Sequence, residues 1–318
     1  MKAFVSATSF LKPENAAAQK KLNDFFDDAA YNDLGVPLKG DQILERLDGC
    51  SAYIAGVDYI TADVIARMPD SVRVISRYGV GVDRVNLAAA ANRGITVTNT
   101  PGANSTAVCE LAFALMLCAA RDIPRLHDAV TRGDWPRSEG IELAGRTLGI
   151  VGMGAIGKRL AVRARAFEMN VLAYDPYFDE AFAKENEIAR TGLDELFRLS
   201  DVISLHLPLN DETRHLVDAG RIREMRDGAI LINAARGGLI DEQAAAEALK
   251  AGKLGGLGLD AFEQEPLLDS PLKGLPHVVF TPHTGAHTGE AVANMGLMSV
   301  QNAIQVLRGE PCPYIVRG

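Results

Sequence analysis

Five stretches of this chain carry side chains whose types and spacing can do chemistry. The first is Gly152-Met153-Gly154-Ala155-Ile156-Gly157, which follows the apolar run Thr147-Leu148-Gly149-Ile150-Val151 and opens an amphipathic segment. A G-x-G-x-x-G alone is a weak signal, because structural turns also use glycine. Between a strand and a helix it is specific: Gly152 allows the tight turn, Gly154 lets the backbone approach a pyrophosphate, and Gly157 lets helix and strand pack closely. The unpaired N–H groups at that helix start then face the phosphates. The second stretch is Val171-Leu172-Ala173-Tyr174-Asp175, which puts an acid at a strand end 18 residues beyond Gly157. A carboxylate there accepts from both ribose hydroxyls and repels a 2′-phosphate, although a capping or surface Asp is the alternative. Pro176-Tyr177 supply no arginine for a phosphate, so NAD is favoured over NADP.

The other three stretches lie in the second half. Ile232-Asn233-Ala234-Ala235-Arg236-Gly237-Gly238 places an arginine at a strand end, where a guanidinium can hold a carboxylate through two parallel N–H bonds. Leu259-Asp260-Ala261-Phe262-Glu263-Gln264-Glu265-Pro266 and Thr281-Pro282-His283 bring a Glu and a His. A carboxylate on one imidazole nitrogen fixes the tautomer and stabilises the charged ring, so the two suit an orienter and an acid/base. Each also has a plain reading: a surface ion pair for Arg236, a structural histidine for His283, a neutralised helix start for Glu265. His283 and His287 have i, i+4 spacing, but Pro282 and Gly285 oppose a regular helix and no third ligand is evident, so no metal is expected.

Elements must position these residues. Short apolar strands are expected over 2–7, 52–56, 73–77, 95–98, 147–151, 170–174, 202–205, 229–233, 257–259 and 278–281. Helix-like segments fall between them over 42–47, 62–67, 87–92, 105–120 and 155–167. Strand–helix alternation of this kind argues for an α/β fold with parallel sheets covered on both faces. Pro/Gly breaks at Asn99-Thr100-Pro101-Gly102 and around Gly285 divide the chain into a substrate-binding lobe (1–99), a Rossmann lobe (100–284) and a C-terminal return to the first lobe (285–318). Two Rossmann-like lobes with a cleft between them are the expected architecture. The 318 residues, 47% hydrophobic and 23% charged, suffice for two compact cores. A net charge of −8 is wrong for a protein that tracks phosphate backbones, so no nucleic-acid partner is expected. The longest apolar run, 111–120, is too short to span a bilayer, and the N-terminus lacks a signal-peptide pattern. With four scattered cysteines and no CxxC, the expectation is a reduced, cytoplasmic protein without membrane contact.

Taken in order, these segments resemble the D-isomer-specific 2-hydroxyacid dehydrogenases. The likeness runs from about residue 52 to 309. It includes Arg77-Tyr78-Gly79-Val80-Gly81-Val82-Asp83, Asn99 to Ser105, the glycine loop, His206-Leu207-Pro208-Leu209, Asn233 to Asp241, Leu259 to Pro266, and Thr281 to Gly285. It implies a flavodoxin-like substrate lobe beside an NAD-binding Rossmann lobe. It further implies Arg236 as binder of the substrate carboxylate and carbonyl, His283 as acid/base, and Glu265 as its partner. Arg77, Gly79, Val80, Gly81 and Asn104 match substrate-side positions. Gly152, Gly154, Ala155, Ile156, Gly157, Asp175, His206, Pro208, Ala234 and Asp260 match cofactor positions, with Asp260 expected to hold the nicotinamide carboxamide. The implied reaction passes a hydride between nicotinamide and C2 of a short 2-hydroxy acid. The implied assembly is a homodimer on the cofactor lobes, with Trp135-Pro136 in the arm that reaches the partner.

The substrate is less constrained. Phosphoglycerate dehydrogenases of this family carry Val-Arg-Ser where this chain has Ile54-Ala55-Gly56, so one phosphate-gripping arginine is missing, while Arg77 matches another. Phosphoglycerate thus stands beside hydroxypyruvate, glyoxylate and sulfolactate. Formate dehydrogenases pair the His with Gln, whereas Glu265 stands here. A non-enzymatic NAD(H)-sensing co-repressor is the rival of a different class. Cys109 and Arg84 depart from the family pattern without an evident role.

Overall fold

The computed structural model describes residues 1–317. By internal contacts the chain forms two units, Met1–Ser105 with the chain from Ala286 onward, and Thr106–Gly285. The first break falls after Ser105 rather than after Asn99, and hydrogen bonds explain the difference. Thr100 N donates to Gly79 O at 3.0 Å, Asn99 Nδ2 to Val80 O at 2.8 Å, and Asn302 Nδ2 to Asn99 O at 2.8 Å. These bonds tie residues 99 and 100 to the first unit.

The first unit holds β1 (Lys2–Val5), β2 (Asp28–Tyr31), β3 (Cys50–Ala55), β4 (Val74–Arg77) and β5 (Thr96–Thr98), parallel throughout and ordered β2-β1-β3-β4-β5. That is the flavodoxin-like order. Short helices return the chain between strands, and their starts are written in sequence: Thr61 caps Ala62–Arg67 and Asn86 caps Leu87–Asn92, each accepting a backbone N–H in the first turn. The long helix Gly289–Arg308, capped by Thr288 and ended by Gly309 in the left-handed region, brings the C-terminal segment back onto this sheet. Ser76 Oγ on β4 donates to Ser299 O of that helix at 2.8 Å.

The second unit holds β6 (Thr147–Val151), β7 (Asn170–Tyr174), β8 (Ala189–Arg190), β9 (Val202–Leu205), β10 (Ala229–Asn233), β11 (Leu254–Leu259) and β12 (Val278–Phe280). All pairings are parallel, in the order β12-β11-β10-β9-β6-β7-β8. This is the doubly wound Rossmann order with one further edge strand, and the strand order reverses between β6 and β9. Every residue of β9 and β10 is buried, as expected of strands covered on both faces. The helix Ser105–Arg121 supplies much of that cover through Cys109, Ala112, Leu115, Met116 and Ala119. Cys109 is therefore a small core residue, and burial pushes its thiol up, away from reactivity. Among the described residues no helix is long and apolar enough to cross a membrane.

Candidate active site

The second unit brings together three sequence segments at the carboxyl ends of β10, β11 and β12, the edge where open parallel sheets bind ligands. His283 follows β12 and Glu265 follows β11. His283 Nδ1 lies 2.7 Å from Glu265 Oε1, and Phe262 N donates to the same oxygen at 3.3 Å. That contact leaves Nε2 as the ring atom able to exchange a proton with a ligand.

Asp260, only 2% exposed, holds the His283 loop in place. Its Oδ1 accepts from Thr281 Oγ1 at 2.6 Å and Thr284 N at 2.8 Å, and its Oδ2 accepts from Gly285 N at 2.8 Å. Its own N–H donates to Asn233 O at 2.9 Å, so the loop is fastened back to β10. The carboxylate expected to face the cofactor thus also braces the His283 loop.

Arg236 sits on a turn that Asn233 clamps. The Asn233 side chain accepts from Ala235 N at 3.0 Å and donates to Arg236 O at 2.7 Å. Arg236 Nη1 donates to Ala235 O at 2.8 Å. Gly237 is required next: a Cβ there would lie 1.8 Å from Phe262 C, so the Arg236 turn rests backbone to backbone on the Phe262–Glu265 segment. Sequence alone assigns no role to Asn233 or Gly237, although a polar residue closing an apolar strand is a signal for the first.

The glycine turn fits a dinucleotide. Gly154 has open space where a Cβ would stand, and no side chain caps the helix Ala155–Ala166. A Cβ on Gly157 would stand 2.1 Å from Gly152 O, so only glycine permits this turn. Asp175 directly follows β7 and accepts from Met153 N and Tyr177 N, both at 2.7 Å; each oxygen keeps a further lone pair for a ribose hydroxyl. Ala155 and Ile156 start the helix, Ala234 adjoins Asn233, and the Pro208 carbonyl accepts from Thr213 Oγ1 at 2.8 Å. His206 follows β9. Its Nε2 lies 2.9 Å from Ser204 Oγ, its buried Nδ1 has no partner, and burial pushes the ring down to about 4. The ring is therefore neutral, which suits a hydrogen-bonding role and not that of a proton donor.

The substrate-side residues lie in the first unit. The carbonyls of Gly79, Val80 and Gly81 are held by Thr100 N, Asn99 Nδ2 and Arg77 Nε, while the three N–H groups have no acceptor among the described residues. Such a run of unpaired amides suits an anion. Asn104 Oδ1 is buried without a partner. Arg77 bonds to this loop. It is 8% exposed, and its guanidinium donates to the carbonyls of Ala55, Gly56, Tyr78 and Gly81. These bonds shape the loop from within. Among the described residues no group of three or more His, Cys, Asp or Glu could hold a metal ion.

Comparisons with known proteins identify the family. The model of the D-isomer specific 2-hydroxyacid dehydrogenase family, NAD binding domain, matches residues 113–285, more than half of the chain. A D-3-phosphoglycerate dehydrogenase of Methanocaldococcus jannaschii is 42% identical over 88% of this chain, which spans only 54% of that relative's length. A glyoxylate reductase of Korarchaeum cryptofilum is 39% identical over 93% of this chain and 91% of its own. The crystal structure of D-lactate dehydrogenase from Aquifex aeolicus, complexed with NAD and lactic acid, superposes with a TM-score of 0.86 at 30% identity, covering 100% of this chain and 99% of that one. The chain belongs to the D-isomer specific 2-hydroxyacid dehydrogenase family and contains its NAD-binding domain.

Proposed function

We propose that the protein is an NAD-dependent D-2-hydroxyacid dehydrogenase that reduces a short 2-keto acid. The observation that carries this is the 2.7 Å contact between His283 Nδ1 and Glu265 Oε1, on loops packed against the Arg236 turn. NADH, held by the Gly152–Gly157 turn and Asp175, would supply the hydride for the carbonyl carbon. His283 donates a proton from Nε2 to the carbonyl oxygen, and Glu265 stabilises the ring in the state that gives it up. Arg236 anchors the carboxylate through paired donors and offsets the charge developing on the carbonyl oxygen. In the first unit, the amides of Gly79, Val80 and Gly81 and the side chain of Asn104 are the groups we assign to the substrate side. Oxidation runs the same path backwards, with His283 as base.

The substrate we favour carries no phosphate. Ala55 and Gly56 stand where a phosphate-binding arginine is expected, and the Arg77 guanidinium is engaged by backbone carbonyls. Glyoxylate and hydroxypyruvate meet this requirement and phosphohydroxypyruvate does not. The reading extends to a cytoplasmic homodimer. Four free thiols support the reducing compartment, and an exposed apolar strip (Ile123, Val130 and Trp135) supports a second copy as its cover. The test is NADH oxidation against a panel of 2-keto acids, phosphorylated and not, with His283→Ala as control. Turnover of an unphosphorylated acid, lost in the control, is expected. Tight NADH binding without turnover of any acid would move the protein to the sensor class.

A further inference from the structure

The catalytic reading does not use a second group of ionisable side chains in the same unit, formed by His215, Glu263 and Glu242. His215 lies between β9 and the helix Ala219–Glu224, with a φ of +50°. Its N–H donates to Gly238 O at 2.8 Å, in the turn that carries Arg236. Its Nε2 lies 2.9 Å from Glu263 Oε1. Glu263 stands two residues before Glu265 and donates its N–H to Glu242 Oε1 at 2.9 Å. Glu242 is buried, its N–H returns to Glu263 Oε1 at 3.4 Å, and Ser270 Oγ donates to its second oxygen at 2.7 Å. Three segments therefore meet here: the stretch after β9, the Arg236 turn and the Glu265 loop.

An exposed ion pair between two loose side chains contributes little, because ordering them offsets the attraction. Here both backbones are anchored first, His215 by Gly238 O and Glu263 by the buried Glu242. The contact then acts on the spacing of two loops, and little of it is spent on side-chain ordering. We propose that His215 and Glu263 are positioning residues that set the Glu265 loop against the Arg236 turn, and through Glu265 orient His283. Both side chains are half-exposed, so water screens the contact and the effect expected of it is small. This rests on the dehydrogenase reading, and the experiment separates the two.

In the full chain, His215→Ala and Glu263→Ala should each lower kcat by about twofold to fivefold, the size of a half-exposed pair, with the NADH dissociation constant unchanged. The double variant should be no worse than the worse single. Independent, multiplying losses, or losses of thermal stability with kcat untouched, would overturn the proposal. Amide exchange provides an arm independent of turnover: His215→Ala should speed exchange at Glu263 and leave Ala229–Asn233 unchanged. If the parent protein reduces no 2-keto acid, the dehydrogenase reading falls. Unchanged exchange at Glu263 would then sink the positioning proposal on its own.

Discussion

Asp260 and His206 show at the level of single side chains how the site is held. Asp260 takes four donors from the His283 loop with two carboxylate oxygens. Asn at this position keeps one oxygen and turns an amide group toward an N–H donor. A hydrogen bond to a charged group contributes about 1.5–3 kcal/mol, so Asp260→Asn should lower the unfolding free energy in urea by about 2 kcal/mol. It should also reduce kcat more than it weakens NADH binding; an unchanged kcat would mean that the loop holds its shape without the carboxylate. His206 predicts a pH dependence. Its folded-state ring is pushed down to about 4 by burial, whereas an unfolded-chain histidine titrates near 6.5. The unfolded chain then binds the extra proton between these values, so stability falls as pH drops from about 6.5 toward 4, by at most about 3 kcal/mol. His206→Asn should flatten the slope of denaturation midpoint against pH in that window, and a slope that persists would assign it to other groups. The contact between Glu265 and His283 was legible because each follows an apolar strand within a few residues. The structural role of Arg77 was not, since its motif position says nothing about which atoms reach its guanidinium first.

Between elements, the close approach of the Arg236 turn to the Glu265 loop decides more than either segment alone. A Cβ on Gly237 would also meet Phe262 O at 2.0 Å, and neither contact is with a flexible side-chain end. Gly237→Ala must therefore push the two segments apart, and a displacement of about 1 Å at a catalytic group costs on the order of a hundredfold in rate. A kcat within a few-fold of the parent protein would show that the turn can slide without disturbing Arg236. The strands β6, β7, β9 and β10 match their expected bounds residue for residue, because apolar runs between turn signals are what a doubly covered strand requires. The misses have physical reasons. β2 is an edge strand with the weak sequence Asp28-Ala29-Ala30-Tyr31, and β8 is only two residues long. β11 begins at Leu254 and not at 257, because Gly255 and Gly256 read as a break in sequence. In the fold they allow close packing, against Gly228 O at 2.3 Å and Ala119 Cβ at 3.3 Å from the positions a Cβ would take. A glycine pair marks a turn or a tight contact equally well, and only the neighbours decide.

For the whole molecule, the strand order of the second unit accounts for where the candidate site lies, since Arg236, Glu265, His283 and the glycine turn all follow strand carboxyl ends of one sheet. The surface away from those ends carries the remaining question of assembly. Trp135, the chain's single tryptophan, is 85% exposed, and Ile123 and Val130 of the helix Ile123–Thr131 are about half exposed. Large aromatic side chains left in water on a stable domain are costly, and burying one against a partner contributes about 1.5–3 kcal/mol. Because no other tryptophan competes, its emission reports directly on that surface. In a homodimer the emission should be blue-shifted at high protein concentration and move to the red on dilution, in step with a fall from dimer to monomer mass in sedimentation. Val130→Glu should shift that transition to higher concentration, since a charge would have to be desolvated in the interface. Emission typical of a solvated indole at every concentration, together with a monomer mass, would remove the second copy from the proposal. The catalytic reading would stand, because His283, Glu265 and Arg236 all come from a single chain.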